Sequence, residues 1–236
     1  MGGLARRSGD GDAIGRGALT PKPTGFRRQL GWYNEGFPPP TSTQTPVRTI
    51  TKTYSDPLDL VWLHAARKLG MQVVRSAEVN ASWDGAGVLT IGTPETLDPD
   101  DSLAQMILHE TCHALCEGPD GWRQPDWGLG GVHPADKVHE HAALRLQAAL
   151  ADQVGMRAFF ASTTVFRAYY DRLPADPLAP ADDPAIVAAR DAWDRAKHGP
   201  WAEPLNEALQ RSAEIARALE GLTTEDSLWH SSGPQV

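Results

Sequence analysis

Residues 102–116 read SLAQMILHETCHALC, and within them His109-Glu110-Thr111-Cys112-His113 forms an HExxH pentad in a run whose apolar residues recur at helical spacing. On a helix, positions i and i+4 lie one turn apart on one face, so the imidazoles of His109 and His113 can converge on a single ion such as Zn2+. Glu110 projects about 100° further round, beside that ion rather than on it, where it can act as a base toward a metal-activated water. The pentad therefore offers two ligands and one base. Asp98 before Pro99 predicts an N-cap ahead of a first-turn proline, with Asp101 as an acid at the positive helix end. Gly118 and Pro119 predict the stop.

Upstream, Asp56-Pro57 repeats the N-cap and proline device. Leu58, Val61, Trp62, Ala65 and Leu69 then mark one apolar helix face that ends at Gly70, with His64 just off it. Met71 to Val74 and Val88 to Ile91 are short apolar runs, and Trp83-Asp84-Gly85-Ala86-Gly87 supplies turn chemistry between them, predicting two or three small strands. The last strand precedes the HExxH helix directly. Its edge is expected to be open to an extended peptide by strand addition.

A strand, a short loop and an HExxH helix in that order resemble the catalytic half of the zincin metallopeptidases, over about 75 residues from Val74 to Ala149. In that clan the two histidines bind zinc, the glutamate is the general base, and a third ligand lies further along the chain. The metzincin pattern requires Gly and His where this chain has Cys116 and Pro119, so that subgroup does not apply. The gluzincin pattern requires a glutamate on a second helix, and Pro134 to Leu150 reads as that helix, with Glu140 inside it and Ala143 allowing close approach to the first. Gluzincin-like proteins often carry an acid one position after that small residue to orient a zinc-bound histidine. Leu144 stands there, which leaves Asp136, Asp126 or a backbone carbonyl for the task.

Glu140 has two rivals as third ligand. His141 is adjacent but points about 100° away, so the rotation of the helix selects one of them. His133, just before the helix, resembles the ligand of SprT-like and Spartan proteases, although its separation from His113 is longer and the basic character of those proteins is lacking. Imidazole and carboxylate both serve zinc. Trp122 and Trp127, in the connection between the two helices, are expected to form a rim or lid at the cleft, with capping of the second helix as the alternative.

The chain of 236 residues is 41% hydrophobic with a net charge of -8, which fits one substantial core and argues against a nucleic-acid groove. Residues 1–50 carry seven Lys/Arg against three Asp/Glu, so the remainder stands at -12. Their Gly, Pro, Ser and Thr content predicts a flexible tail, with Trp32, Tyr33 and Phe37 as a small aromatic cluster able to pin it. No run reaches the roughly 18 apolar residues of a membrane span, and no export signal is recognisable. The two cysteines, Cys112 and Cys116, are badly spaced for a disulfide on a helix and are expected to be reduced, as in a cytoplasmic protein; the alternative is a redox switch or a thiolate ligand at Cys116.

Toward the C-terminus, Tyr169 and Tyr170 are candidates for an oxyanion donor, against the plainer expectation of core tyrosines with satisfied hydroxyls. Asp183-Pro184 opens a further helix to Lys197, and Leu205 to Leu219 forms an amphipathic one; the two are expected to pair as a hairpin beside the cleft. Taken together, the resemblance implies a zincin-like α+β domain over 51–236 behind the 1–50 tail. His109, His113 and Glu140 would hold one Zn2+, and Glu110 would serve as base in hydrolysis of a peptide or protein substrate. The alternatives are a binding or regulatory protein with a structural zinc, and a zinc amidohydrolase of small substrates.

Overall fold

The computed structural model of the chain describes residues 51–130, 136–161 and 166–230, which form an α+β structure with six helices and one three-stranded mixed sheet. Tail residues 1–50, with their aromatic trio, lie outside the described residues, as do His133 and Pro134.

Helix α1, Pro57–Lys68, begins as its chemistry suggests. The Asp56 carboxylate accepts from the N–H groups of Leu58 and Asp59, which otherwise have no intrahelical partner. Leu58, Trp62, Ala65 and Leu69 are buried, His64 is exposed, and Gly70 at φ +86° turns the chain out of the helix. Strands β1 (Gln72–Ser76), β2 (Ala81–Trp83) and β3 (Val88–Gly92) follow. Asp84 makes the β2–β3 turn by accepting from Ala86, Gly87 and Val88, and those N–H groups hold its carboxyl below the usual range.

The sheet order is β1-β3-β2, with β1 parallel and β2 antiparallel to β3. This corrects the expectation of an open β3 edge. Thr90 faces Val74 on one side and Ser82 on the other, so the strand leading to the HExxH helix is central. Its buried residues, Leu89 and Ile91, instead join the core with Trp62, Trp83 and Ile107.

Helix α2, Leu103–Gly121, starts later than Asp98-Pro99 suggests. Ser102 is the cap: its hydroxyl accepts from Gln105 N–H while the Gln105 side chain accepts from Ser102 N–H. Asp98 and Asp101 bond to each other in a turn ahead of it. The reciprocal cap satisfies the Gln105 and Ser102 N–H groups together, while the Asp98 N–H is taken up by Asp101 ahead of the helix. Gly118, at φ 68° and ψ -167°, breaks the helix as expected, and only a short turn continues to Gly121.

Helix α3, Lys137–Asp152, packs along α2, and α5, Ala185–His198, covers both. Ala185, Ala189, Ala192 and Ala196 give α5 a buried stripe of small side chains, and Arg195 donates to the Leu115 carbonyl of α2 at 2.9 Å. Helix α6, Ala202–Ala218, packs chiefly on α1, where the Trp62 indole donates to Ser212 Oγ at 3.0 Å. The two helices, expected to pair as a hairpin, touch each other, while α5 packs mainly on α2 and α3 and α6 on α1. Among the described residues no helix is long and apolar enough to cross a membrane.

A partly buried ion pair ties α3 to the short helix α4, Arg167–Tyr170, and to the start of α5. Arg145 donates to Asp183 Oδ2 at 2.9 Å and to the Tyr169 hydroxyl at 2.6 Å, and Tyr169 donates in turn to Asp183 at 2.7 Å. Burial alone would raise Asp183, but the Tyr169 hydroxyl, the Ala185 N–H and the guanidinium outweigh it and hold the carboxyl low. Removing one partner leaves the other charge buried, so Asp183→Ala should cost about 3–5 kcal/mol in urea unfolding. A loss below about 1 kcal/mol would mean the guanidinium is hydrated rather than held.

Candidate metal centre

His109 and His113 lie one turn apart on α2, 7% and 3% exposed, in the part of the helix enclosed by α3 and α5. Glu140 enters from the first turn of α3. The two Nε2 atoms are 3.2 Å apart; Glu140 Oε1 is 3.4 Å from His113 Nε2, and Oε2 is 3.8 Å from His109 Nε2. Among the described residues these three side chains form a group that could hold a metal ion, with their ligand atoms all within 4.8 Å of one another.

The rotation of α3 separates Glu140 from its neighbour. His141 turns away and stacks on Tyr169 at 3.5 Å, with Phe166 edge-on beyond it. Ala143 and Leu144, on the next turn from Glu140, are fully buried, consistent with the close approach that a small residue permits. Burial alone would raise Glu140, but the hydrogen bond and charge of His113, with help from His109 and His141, pull its carboxyl down to about 2. For His113 burial acts downward, and the Glu140 carboxylate outweighs it to leave a net rise. Mutual charge stabilisation of this kind is what a group of ligands aimed at one point produces when protons stand in for the cation.

Among the described residues neither Asp136 nor Asp126 bonds to a histidine. Asp136 accepts from Gly130 N–H, and Asp126 accepts from Trp83 N–H and from Ser82 Oγ. The partner of His109 Nδ1 is Gln147 Oε1 at 2.8 Å, two turns beyond Glu140 on the same face of α3. A Gln at that spacing carries no motif, and only the relative placement of α2 and α3 reveals it. His113 Nδ1 is buried with no partner among the described residues.

Glu110 is 7% exposed and is not part of the ligand group. Its Oε2 accepts from the Trp127 indole N–H at 2.8 Å. Trp127 is buried and stacks on Trp83 at 4.7 Å, while Trp122 packs on Trp83 and Trp201, so the expected aromatic lid is a structural wall behind the base. Asp126 and Trp127 both have left-handed backbone, at φ 47° and 60°, which costs roughly 1–3 kcal/mol for each such residue. The bonds from Trp83 and Ser82 to Asp126 and the stacking of Trp127 hold them there.

Both cysteines are free and buried, and burial, the larger influence on each, pushes both thiols up, which opposes the thiolate form that a metal needs. The Tyr170 hydroxyl donates to the Arg157 carbonyl and that of Tyr169 to Asp183. Each proton is committed, as the plainer expectation for these residues holds. Glu117 and His139 form a further pair across α2 and α3 at 2.7 Å that the sequence did not suggest.

No protein-family model, characterised protein or solved structure matches the chain.

Proposed function

We propose that the protein is a zinc-dependent hydrolase of zincin type that cleaves peptide bonds. The observation that carries this reading is the convergence of buried His109 and His113 with half-buried Glu140, with Glu110 near enough for its charge to act on His113 and left out of the ligand group. Two nitrogens and a carboxylate suit zinc, and tetrahedral bonds of about 2.0–2.1 Å separate ligand atoms by about 3.3 Å. The nitrogen–nitrogen spacing of 3.2 Å lies close to that value, and the two Glu140 oxygens lie 3.4 and 3.8 Å from one of those nitrogens each. The order of β3, loop and HExxH helix supports the zincin resemblance.

Zinc held by this set would lower the pKa of a water and polarise a substrate carbonyl. Glu110 would take the proton from the attacking water and return it to the leaving amine. The Trp127 indole, bonded to one carboxylate oxygen, would keep the other directed by fixing the rotamer. A purely structural zinc site would have no use for such a base, which speaks against the non-catalytic alternative.

The central position of β3 favours a second reading, in which the substrate is a small amide, because the strand before the HExxH helix has no free edge for peptide addition. Elemental analysis of the full chain, with hydrolysis of extended peptides and of small amides before and after chelation, tests both. About one zinc per chain and chelator-sensitive peptide cleavage are expected. Cleavage of small amides alone would shift the assignment to the second reading, zinc without either activity to a binding scaffold, and no zinc after reconstitution would end the metal reading.

A further inference from the structure

We infer that Gln147 is a positioning residue that sets the tautomer of His109 and so makes its Nε2 a metal ligand, an inference that rests on the zinc reading above. Gln147 is fully buried, so water does not compete for its amide. Its Nε2 lies 2.6 Å from the Phe160 carbonyl oxygen and its Oε1 lies 2.8 Å from His109 Nδ1. A backbone carbonyl only accepts, so the amide NH2 must face Phe160 and the amide oxygen must face the imidazole. That oxygen also only accepts. Nδ1 of the neutral ring therefore carries the proton, and the lone pair resides on Nε2, the atom that faces His113 and Glu140.

The direction of the relay is set by the backbone rather than by a charged group. Phe160 is itself buried, its N–H donates to Met156, and its ring packs edge-on against Trp62 at 5.5 Å, so its carbonyl is a fixed reference point. The neighbouring Ala161 carbonyl accepts from the Gln105 side chain, which ties the same segment to the first turn of α2. Glu140 and Gln147 are seven residues apart on α3, close to two full turns, so one helix delivers both a ligand and the group that orients another. The usual orienting partner is a carboxylate or a carbonyl, and a neutral amide anchored to a carbonyl performs the same task without adding charge.

The test uses the full chain with Gln147→Met, which keeps the length and removes both hydrogen bonds, and Gln147→Glu, which keeps an acceptor for Nδ1. Long-range 15N NMR of the histidine rings in the metal-free protein, above the imidazole titrations, should show His109 protonated at Nδ1 in wild type and a shift toward Nε2 in Gln147→Met. Competition with a chromophoric chelator should show zinc binding weakened about 10–100-fold in Gln147→Met, with Gln147→Glu tighter than Gln147→Met. An unchanged tautomer with zinc affinity within about 3-fold of wild type in folded Gln147→Met would overturn the inference, even if stability fell. Should wild type bind no zinc, the metal reading fails by itself, and the tautomer still decides: Nδ1–H upholds the role of Gln147, and Nε2–H overturns it.

Discussion

Glu110→Gln is expected to lower peptide hydrolysis by roughly 10²–10⁴-fold while leaving zinc content at about one ion per chain. The size follows from losing a general base with the rest of the site in place. Glutamine has the shape of glutamate, and its amide oxygen can still accept from the Trp127 indole that holds Glu110 Oε2 at 2.8 Å. The side chain is buried against a wall of stacked tryptophans that does not depend on its charge. Because Glu110 lies outside the ligand group, nothing in the substitution removes a donor from the metal. Steady-state kinetics and elemental analysis on one preparation separate the two roles. Retention of more than about a tenth of the activity would remove Glu110 from the role of base, and loss of zinc would make it a ligand instead.

Local signals read well where one residue type has one use. Asp56-Pro57, Gly70, the Asp84-Gly85 turn and Gly118 each satisfy or end a backbone pattern by themselves, and the structure has all four where the spacing places them. The start of α2 was harder because two caps compete four residues apart. Ser102-x-x-Gln105 is a capping box readable in the sequence, and it starts the helix, while Asp98 and Asp101 close a turn ahead of it.

Glu140 was legible for a different reason. The gluzincin resemblance named it, and helix phase left His141 as its rival because adjacent residues project about 100° apart; the structure turns Glu140 toward His109 and His113 and His141 onto Tyr169. Gln147 and the indole of Trp127 were not legible, since each acts through a contact between elements that no period encodes. Strand order belongs with them: alternation shows which face of β3 is buried but not that β1 and β2 flank it. The alanine stripe of α5 looks like helix propensity in the sequence and becomes a packing surface only beside α2 and α3.

Glu140→Ala should reduce zinc from about one ion per chain to less than about a tenth after dialysis against weak chelator, because two imidazoles one turn apart leave the site without its third donor. The pH behaviour should change with it. In the metal-free protein the depressed carboxyl of Glu140 contributes stability that is present above its ordinary value of 4.5 and lost only as pH falls toward about 2. His113, raised above its ordinary 6.5, contributes below that value and loses its contribution as pH rises through the raised one. The pair is therefore fully present between 4.5 and 6.5, and above the raised His113 titration the carboxylate faces a neutral His113 ring. Zinc takes the place of the proton there, so its affinity should climb with pH through the raised His113 titration, and uptake near neutrality should release a proton that calorimetry in two buffers detects. Without the carboxylate, the downward effect of burial on His113 is opposed only by the charges of Glu110 and Glu117, so His113 should titrate lower than in wild type and the residual binding of Glu140→Ala should keep its strength to lower pH. Full zinc content in Glu140→Ala would assign the third donor elsewhere. His141, committed to its stack on Tyr169, would have to leave that ring to serve, so His133→Ala would be the next variant to assay.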